Sequence, residues 1–123
     1  MGFAISAVDH VQLAMPPGPG AEARAEAFYC GLLGFERVPK PPALAKRGGC
    51  WFVSGAVKLH LGVDAEFRPV PKAHPGLLIR DFDAFCAKLD ASGVTVRPDT
   101  ALPELRRCYI DDPFGNTIEL IQD

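Results

Sequence analysis

One order of elements runs through this sequence twice, and in each run the helix stops at a glycine. Val8 to Met15 reads as a strand, with His10, Gln12 and Ala14 alternating against Val11 and Leu13 before the stop Pro16-Pro17-Gly18. Ala21 to Leu33 sets Ala25, Phe28, Leu32 and Leu33 at helical spacing and ends at Gly34. A short run follows at Phe35 to Val38, then a Pro-rich loop at Pro39 to Pro42. The apolar runs Cys50 to Val53 and Val57 to Val63 flank a hairpin turn, Ser54-Gly55-Ala56. Beyond a linker at Asp64 to Ala73 the order returns: a strand from Pro75 to Ile79, and a helix from Asp81 to Ser92 with Asp81 as N-cap and Gly93 as its stop. A strand at Val94 to Arg97, a loop holding Pro98 and Pro103, and strands at Arg106 to Ile110 and Thr117 to Gln122 complete it. The turn Asp111 to Asn116 joins the last two.

Each half therefore reads strand, helix, strand, strand, strand. The expected fold class is α+β, one domain over 1–123, with module one at about 7–63, the linker at about 64–73 and module two at about 74–123. Neither half closes a core alone, so the two pack together or exchange with a second chain.

Composition narrows the function classes. Apolar residues are 48% and charged residues 23% of the 123, the balance of a chain that folds around a core. Thirteen Lys and Arg against 15 Asp and Glu give a net charge of -2 and a pI near 5.9, which argues against nucleic acid as a partner. No apolar run approaches the ~20 residues of a membrane span, and no signal-type segment opens the chain. Cys30, Cys50, Cys86 and Cys108 stand singly among apolar neighbours and read as reduced, mostly buried thiols. A cytoplasmic protein is expected.

Three residues stand out by type and place. His10 on the first strand and His74 opening the fifth occupy equivalent positions in the repeat. Glu119 on the last strand alternates with Ile118 and Leu120 and so leaves the apolar face. Two imidazoles and a carboxylate suit a divalent first-row metal with open positions for substrate. The competing reading is three polar residues on a solvated sheet face, or histidines satisfied by backbone groups.

Several segments carry a family resemblance that covers nearly the whole chain. They are Asp9-His10-Val11-Gln12-Leu13, Ala27-Phe28-Tyr29 with Leu33-Gly34-Phe35, His74 to Ala84, and above all Asp112-Pro113-Phe114-Gly115-Asn116-Thr117-Ile118-Glu119-Leu120. The sequence resembles the vicinal oxygen chelate superfamily, which includes glyoxalase I, bleomycin-resistance proteins, fosfomycin-resistance enzymes and extradiol dioxygenases. The resemblance implies paired βαβββ modules forming a curved mixed sheet around a cavity. It also implies metal ligands at His10, His74 and Glu119, and assembly as a homodimer, in some members with ligands for one metal drawn from both chains. The fourth ligand of glyoxalase I falls near Lys58, which is unsuited to the task.

His60, two residues on, shares the face of Lys58 and is a candidate fourth ligand or proton carrier; a substrate contact or a packed histidine are its other readings. Lys58 could steer an anionic substrate, and Arg47 in Arg47-Gly48-Gly49 could clamp a carboxylate, though each is also an ordinary solvated cation. Arg106 and Arg107 beside Tyr109 pose the same choice. Trp51 reads as core or pocket lining. The expected function is a divalent-metal enzyme of lyase, isomerase or dioxygenase type using iron, manganese, nickel or zinc on a small oxygen-bearing substrate. The alternative is a metal-free, drug-sequestering protein of the bleomycin-resistance type.

Overall fold

The structure is a computed structural model and describes residues 2–123. Eight strands form two four-stranded sheets. The first holds β1 (Val11–Met15), β2 (Glu36–Val38), β3 (Cys50–Ser54) and β4 (Val57–Val63), and the second holds β5 (Gly76–Ile79), β6 (Arg97–Asp99), β7 (Arg107–Asp111) and β8 (Thr117–Gln122). The orders are β1-β4-β3-β2 and β5-β8-β7-β6. In each sheet the opening strand pairs parallel with the closing one while the rest pair antiparallel. The repeat read from sequence is thus a repeat of topology, two βαβββ modules.

Each sheet buries one face beneath its helix. Along β3, Cys50 and Phe52 are fully buried while Trp51 and Val53 are only partly so, as the two-residue period of a strand requires. Phe52 stacks on Tyr29 at 5.2 Å between ring centres, and Phe35 closes the cluster. In module two, Leu89 of the helix α3 (Phe82–Ala91) and Ile110, Ile118 and Leu120 of the sheet are buried together, each contributing about 1.5–3 kcal/mol through lost apolar exposure. The opposite face of each sheet carries the partly exposed positions, among them Trp51 and Val53 of β3 and Tyr109 of β7.

Several boundaries differ from the sequence reading. The first helix is α-helical only over α1 (Ala21–Glu26) and continues as a π-helical segment over Ala27–Leu32, where the Leu33 amide donates to the Phe28 carbonyl at 3.0 Å. The wider turn turns Phe28 and Tyr29, adjacent in sequence, both into the core. Asp81 does not cap α3 with its side chain. It adopts a left-handed φ of 56°, and only its carbonyl takes part, accepting the Phe85 amide at 3.0 Å. The second strand of module two lies at Arg97–Asp99 rather than Val94–Arg97. It includes Pro98, which is tolerated because β6 is an edge strand with one side free of pairing. The Pro-rich loop contains a single helical turn, α2 (Pro42–Ala45).

A turn locks the modules together. The buried Asp112 carboxylate accepts the Tyr29 hydroxyl at 2.7 Å, the Phe114 amide at 2.8 Å, and the Asn116 amide and side-chain nitrogen at 2.9 Å each. Asn116 also donates to the Ala14 carbonyl at 2.8 Å. Burial, reinforced by the Asp112 charge, pushes the Tyr29 phenol far above its ordinary range and keeps it a donor. Among the described residues no helix is long and apolar enough to cross a membrane.

Candidate metal and substrate site

Register superimposes the open faces of the two modules position by position. In module one, Gln12 lies beside His60 and His60 beside Trp51; in module two, Gly76 lies beside Glu119 and Glu119 beside Tyr109. His10 and His74 each stand two residues before the first of these positions. The place equivalent to Glu119 in module one is therefore held by His60, with Lys58 one strand step away.

On module two, His74 and Glu119 meet. The His74 Nδ1 lies 2.8 Å from the Lys72 carbonyl, which can only accept, so Nδ1 carries the proton. In the neutral ring the other nitrogen, Nε2, presents a lone pair to Glu119 Oε1 at 3.0 Å. Two acceptors at that distance need a shared proton or a cation between them. Two donors each ~2.1 Å from one ion and at right angles to it stand ~3.0 Å apart, so this pair fits a divalent metal in both chemistry and spacing.

The second carboxylate oxygen is held from behind. Arg107 donates to Glu119 Oε2 at 3.0 Å and to the Tyr109 hydroxyl oxygen at 3.1 Å, and pairs with Asp99 at 3.0 Å. Its guanidinium is raised above its usual pKa, first by the hydrogen bond to Glu119, and stays charged. The Tyr109 and His74 rings meet edge to face, 5.3 Å between centres. Arg106, next in the chain, points away and pairs with Asp83. Sequence treated the two arginines alike. Strand alternation, which sets Arg107 on the side of Tyr109 and Glu119, is the signal that separates them.

On module one, His10 repeats the arrangement. Its Nδ1 is bonded to Asp9 Oδ2 at 2.9 Å, leaving Nε2 as the free nitrogen. The hydrogen bond from His10, then the nearby Lys58, hold the Asp9 carboxyl below its usual pKa. The His10 ring stacks on His60 at 4.3 Å, and His60 stacks on Trp51 at 4.2 Å. Burial first, and the proximity of His10 second, lower the pKa of His60 and favour its neutral form. Lys58, Arg47 and Trp51 line one cavity of about 670 Å³ with His10 and His60.

The structure thus gathers His74 with Glu119 on one sheet and His10 with His60 on the other. Among the described residues of one chain, no three His, Cys, Asp or Glu side chains group closely enough to hold a metal ion. His10, the third residue of the expected ligand set, lies against His60 and not with the His74 and Glu119 pair.

The profile of the Glyoxalase/Bleomycin resistance protein/Dioxygenase superfamily matches residues 10–120, from the first of these histidines to the residue after Glu119. The chain belongs to this superfamily. Among solved structures, a glyoxalase family protein from Bacillus anthracis is 43% identical over 100% of this chain and 99% of its own, with a TM-score of 0.93. The fosfomycin resistance protein FosX of Listeria monocytogenes shares the superfamily fold at a TM-score of 0.74, with 17% identity over 98% and 95% of the two chains. A glyoxalase/dioxygenase from Nostoc punctiforme does so at 0.75, with 19% identity over 100% and 98%. No curated protein matches the chain.

Arg107 holds the Glu119 carboxylate through Oε2, the oxygen that does not face His74. Arg107→Met is expected to weaken divalent-metal affinity by about 10–100-fold, read by competition with a chelating dye, while far-ultraviolet dichroism stays unchanged. Unaltered affinity would mean that Glu119 holds its orientation unaided.

Proposed function

We propose that the protein is a divalent-metal-dependent enzyme of lyase, isomerase or dioxygenase type that acts on a small oxygen-bearing molecule. It works as a homodimer in which His10 of one protomer joins His74 and Glu119 of its partner. The observation that carries this reading is the facing pair of acceptors, His74 Nε2 and Glu119 Oε1, with both histidines' other nitrogens already engaged. Superfamily members generally use divalent metals.

Pairing between copies is supported by what one copy leaves uncovered. Phe3, Ile5 and Val8 are 90%, 98% and 79% exposed on the irregular lead into β1, which lies outside the strands. β1 and β5 are end strands of their sheets, and an apolar cleft of about 670 Å³ lies between them, lined by Val8, Val11, Leu77 and Leu78. A second copy covering that strip would bury apolar surface and satisfy free strand edges.

A bound divalent ion would polarise a substrate oxygen as a Lewis acid. The chain's own residues do the rest. Asp9 and the Lys72 carbonyl fix the tautomers of His10 and His74, and Arg107 holds the Glu119 carboxylate. His60, neutral and stacked beside His10, accepts a proton from substrate and returns it, while the Tyr109 hydroxyl donates to substrate oxygen from the opposite sheet.

Metal content by mass spectrometry on untagged protein tests this reading. About one divalent ion per chain is expected, lost in His74→Ala. Protein that takes up none after incubation with manganese, iron, nickel and zinc would overturn it and leave a small-molecule-binding role.

A further inference from the structure

The cavity on module one has a chemical bias that the metal reading does not account for. It is lined by Val38, Pro39, Leu44 and Trp51, whose indole stacks on His60, and by three cations, Lys40, Arg47 and Lys58. Asp9 is the single carboxylate among its lining residues, and it is already engaged by His10 at 2.9 Å and Lys58 at 3.6 Å. With neutral histidines the lining carries three positive charges and one negative, a local charge of +2 in a chain whose net charge is -2. Charge of one sign concentrated in a concave site selects ligands of the other sign.

Placement of the cations depends on the backbone. Gly49 has φ +87°, and a Cβ there would stand 2.2 Å from the Leu61 carbonyl oxygen, so only glycine lets the loop lie against β4. Lys40 donates to the Gly48 carbonyl and ties down the same loop. Arg47, immediately before these glycines, is thereby set at the cavity mouth. It is exposed, and among the described residues it has no carboxylate within ion-pairing distance.

We propose that the substrate is a small aromatic carboxylate, its ring against Trp51 and the apolar wall and its acid group held by Arg47 and Lys58. A guanidinium with no acid partner takes a carboxylate through two parallel hydrogen bonds, and an apolar lining with an indole takes a planar ring. The volume, about 670 Å³, is within the range of small-molecule sites and far exceeds what a lone inorganic anion fills. The inference rests on the reading that this face is the substrate side of the site. It adds the class of molecule, and it concerns residues that hold no metal.

The test uses the full chain stripped of metal by chelation, so that an acid group cannot score by binding an ion. Benzoate, its neutral isostere benzamide and the aliphatic anion acetate are titrated by calorimetry, with the fluorescence of Trp51, the chain's sole tryptophan, as a second signal. Benzoate is expected to bind about tenfold or more tighter than either. Arg47→Gln and Lys58→Gln should each weaken benzoate several-fold and leave benzamide unchanged, whereas Trp51→Leu should weaken both aromatics. Both cations are exposed, so the fold does not depend on them. Equal affinity for benzoate and benzamide, or no saturable benzoate binding up to about 10 mM, overturns the proposal. Metal content measured on the same protein before chelation separates this failure from failure of the metal reading.

Discussion

Glu119→Ala is expected to leave a folded chain that no longer retains a divalent metal, with affinity reduced by more than about 100-fold. Among the described residues the carboxylate is the one ion-pair partner of His74, at 3.0 Å from Nε2, and without it two imidazoles would have to hold a dication with no charge compensation. The same substitution removes one of the two carboxylates paired with Arg107 and leaves Asp99 as its acid partner, so the arginine remains satisfied in part. Glu119→Gln separates charge from shape. It preserves side-chain length and an oxygen for Arg107, yet should lose metal nearly as completely. Metal analysis of both variants beside their urea melts makes the check, and full retention of metal by either would remove Glu119 from the ligand set.

Asp112→Ala should be the most damaging substitution for stability, at about 3–5 kcal/mol, because it strands several buried donors at once. Tyr29, Phe114 and Asn116 all donate to this carboxylate, and Tyr29 is fully buried. The Tyr29 hydroxyl belongs to module one and Asp112 to module two, so the loss also loosens the joint between them. Asp112→Asn keeps one acceptor oxygen and should cost less. Urea denaturation followed by dichroism reads both; a loss below about 1 kcal/mol for Asp112→Ala would show that water replaces the carboxylate at this turn.

The modular repeat was legible because each helix announces its end with a glycine and each module closes on a long apolar strand: β4 at Val57–Val63 and β8 at Thr117–Gln122 fall where alternation predicted them. Pro98 hid β6, since a proline argues against a strand unless the strand is known to be an edge, and edges are set by tertiary order. The π-helical turn at Ala27–Leu32 was invisible because it shifts the helical period by less than one residue.

Site residues divide in the same way. His10, His74 and Glu119 stood out by type and by family pattern, but no spacing says that His74 meets Glu119 within one chain while His10 lies against His60. Asp112 could be read as a turn residue and not as the acceptor of four hydrogen bonds, three of them within its own turn and one from a tyrosine 83 residues away. Asp9 has no sequence signal beyond its place before His10, yet it bonds the His10 Nδ1 at 2.9 Å. Lys40 carried no local signal, because its partner is a backbone carbonyl eight residues on, at Gly48, which no side-chain pattern marks.

The account rests on a site completed by two copies, and mixing two defective chains tests that most directly. His10→Ala and Glu119→Ala are each prepared alone, then unfolded together in equal amounts and refolded. Random pairing makes half the dimers mixed, and each mixed dimer has one site with its His10, His74 and Glu119 intact. The mixture is predicted to regain about one quarter of the wild-type metal while neither variant alone holds any. A mixture that stays as empty as its components would contradict the account, since it would mean that His10, His74 and Glu119 do not complete one another across the dimer.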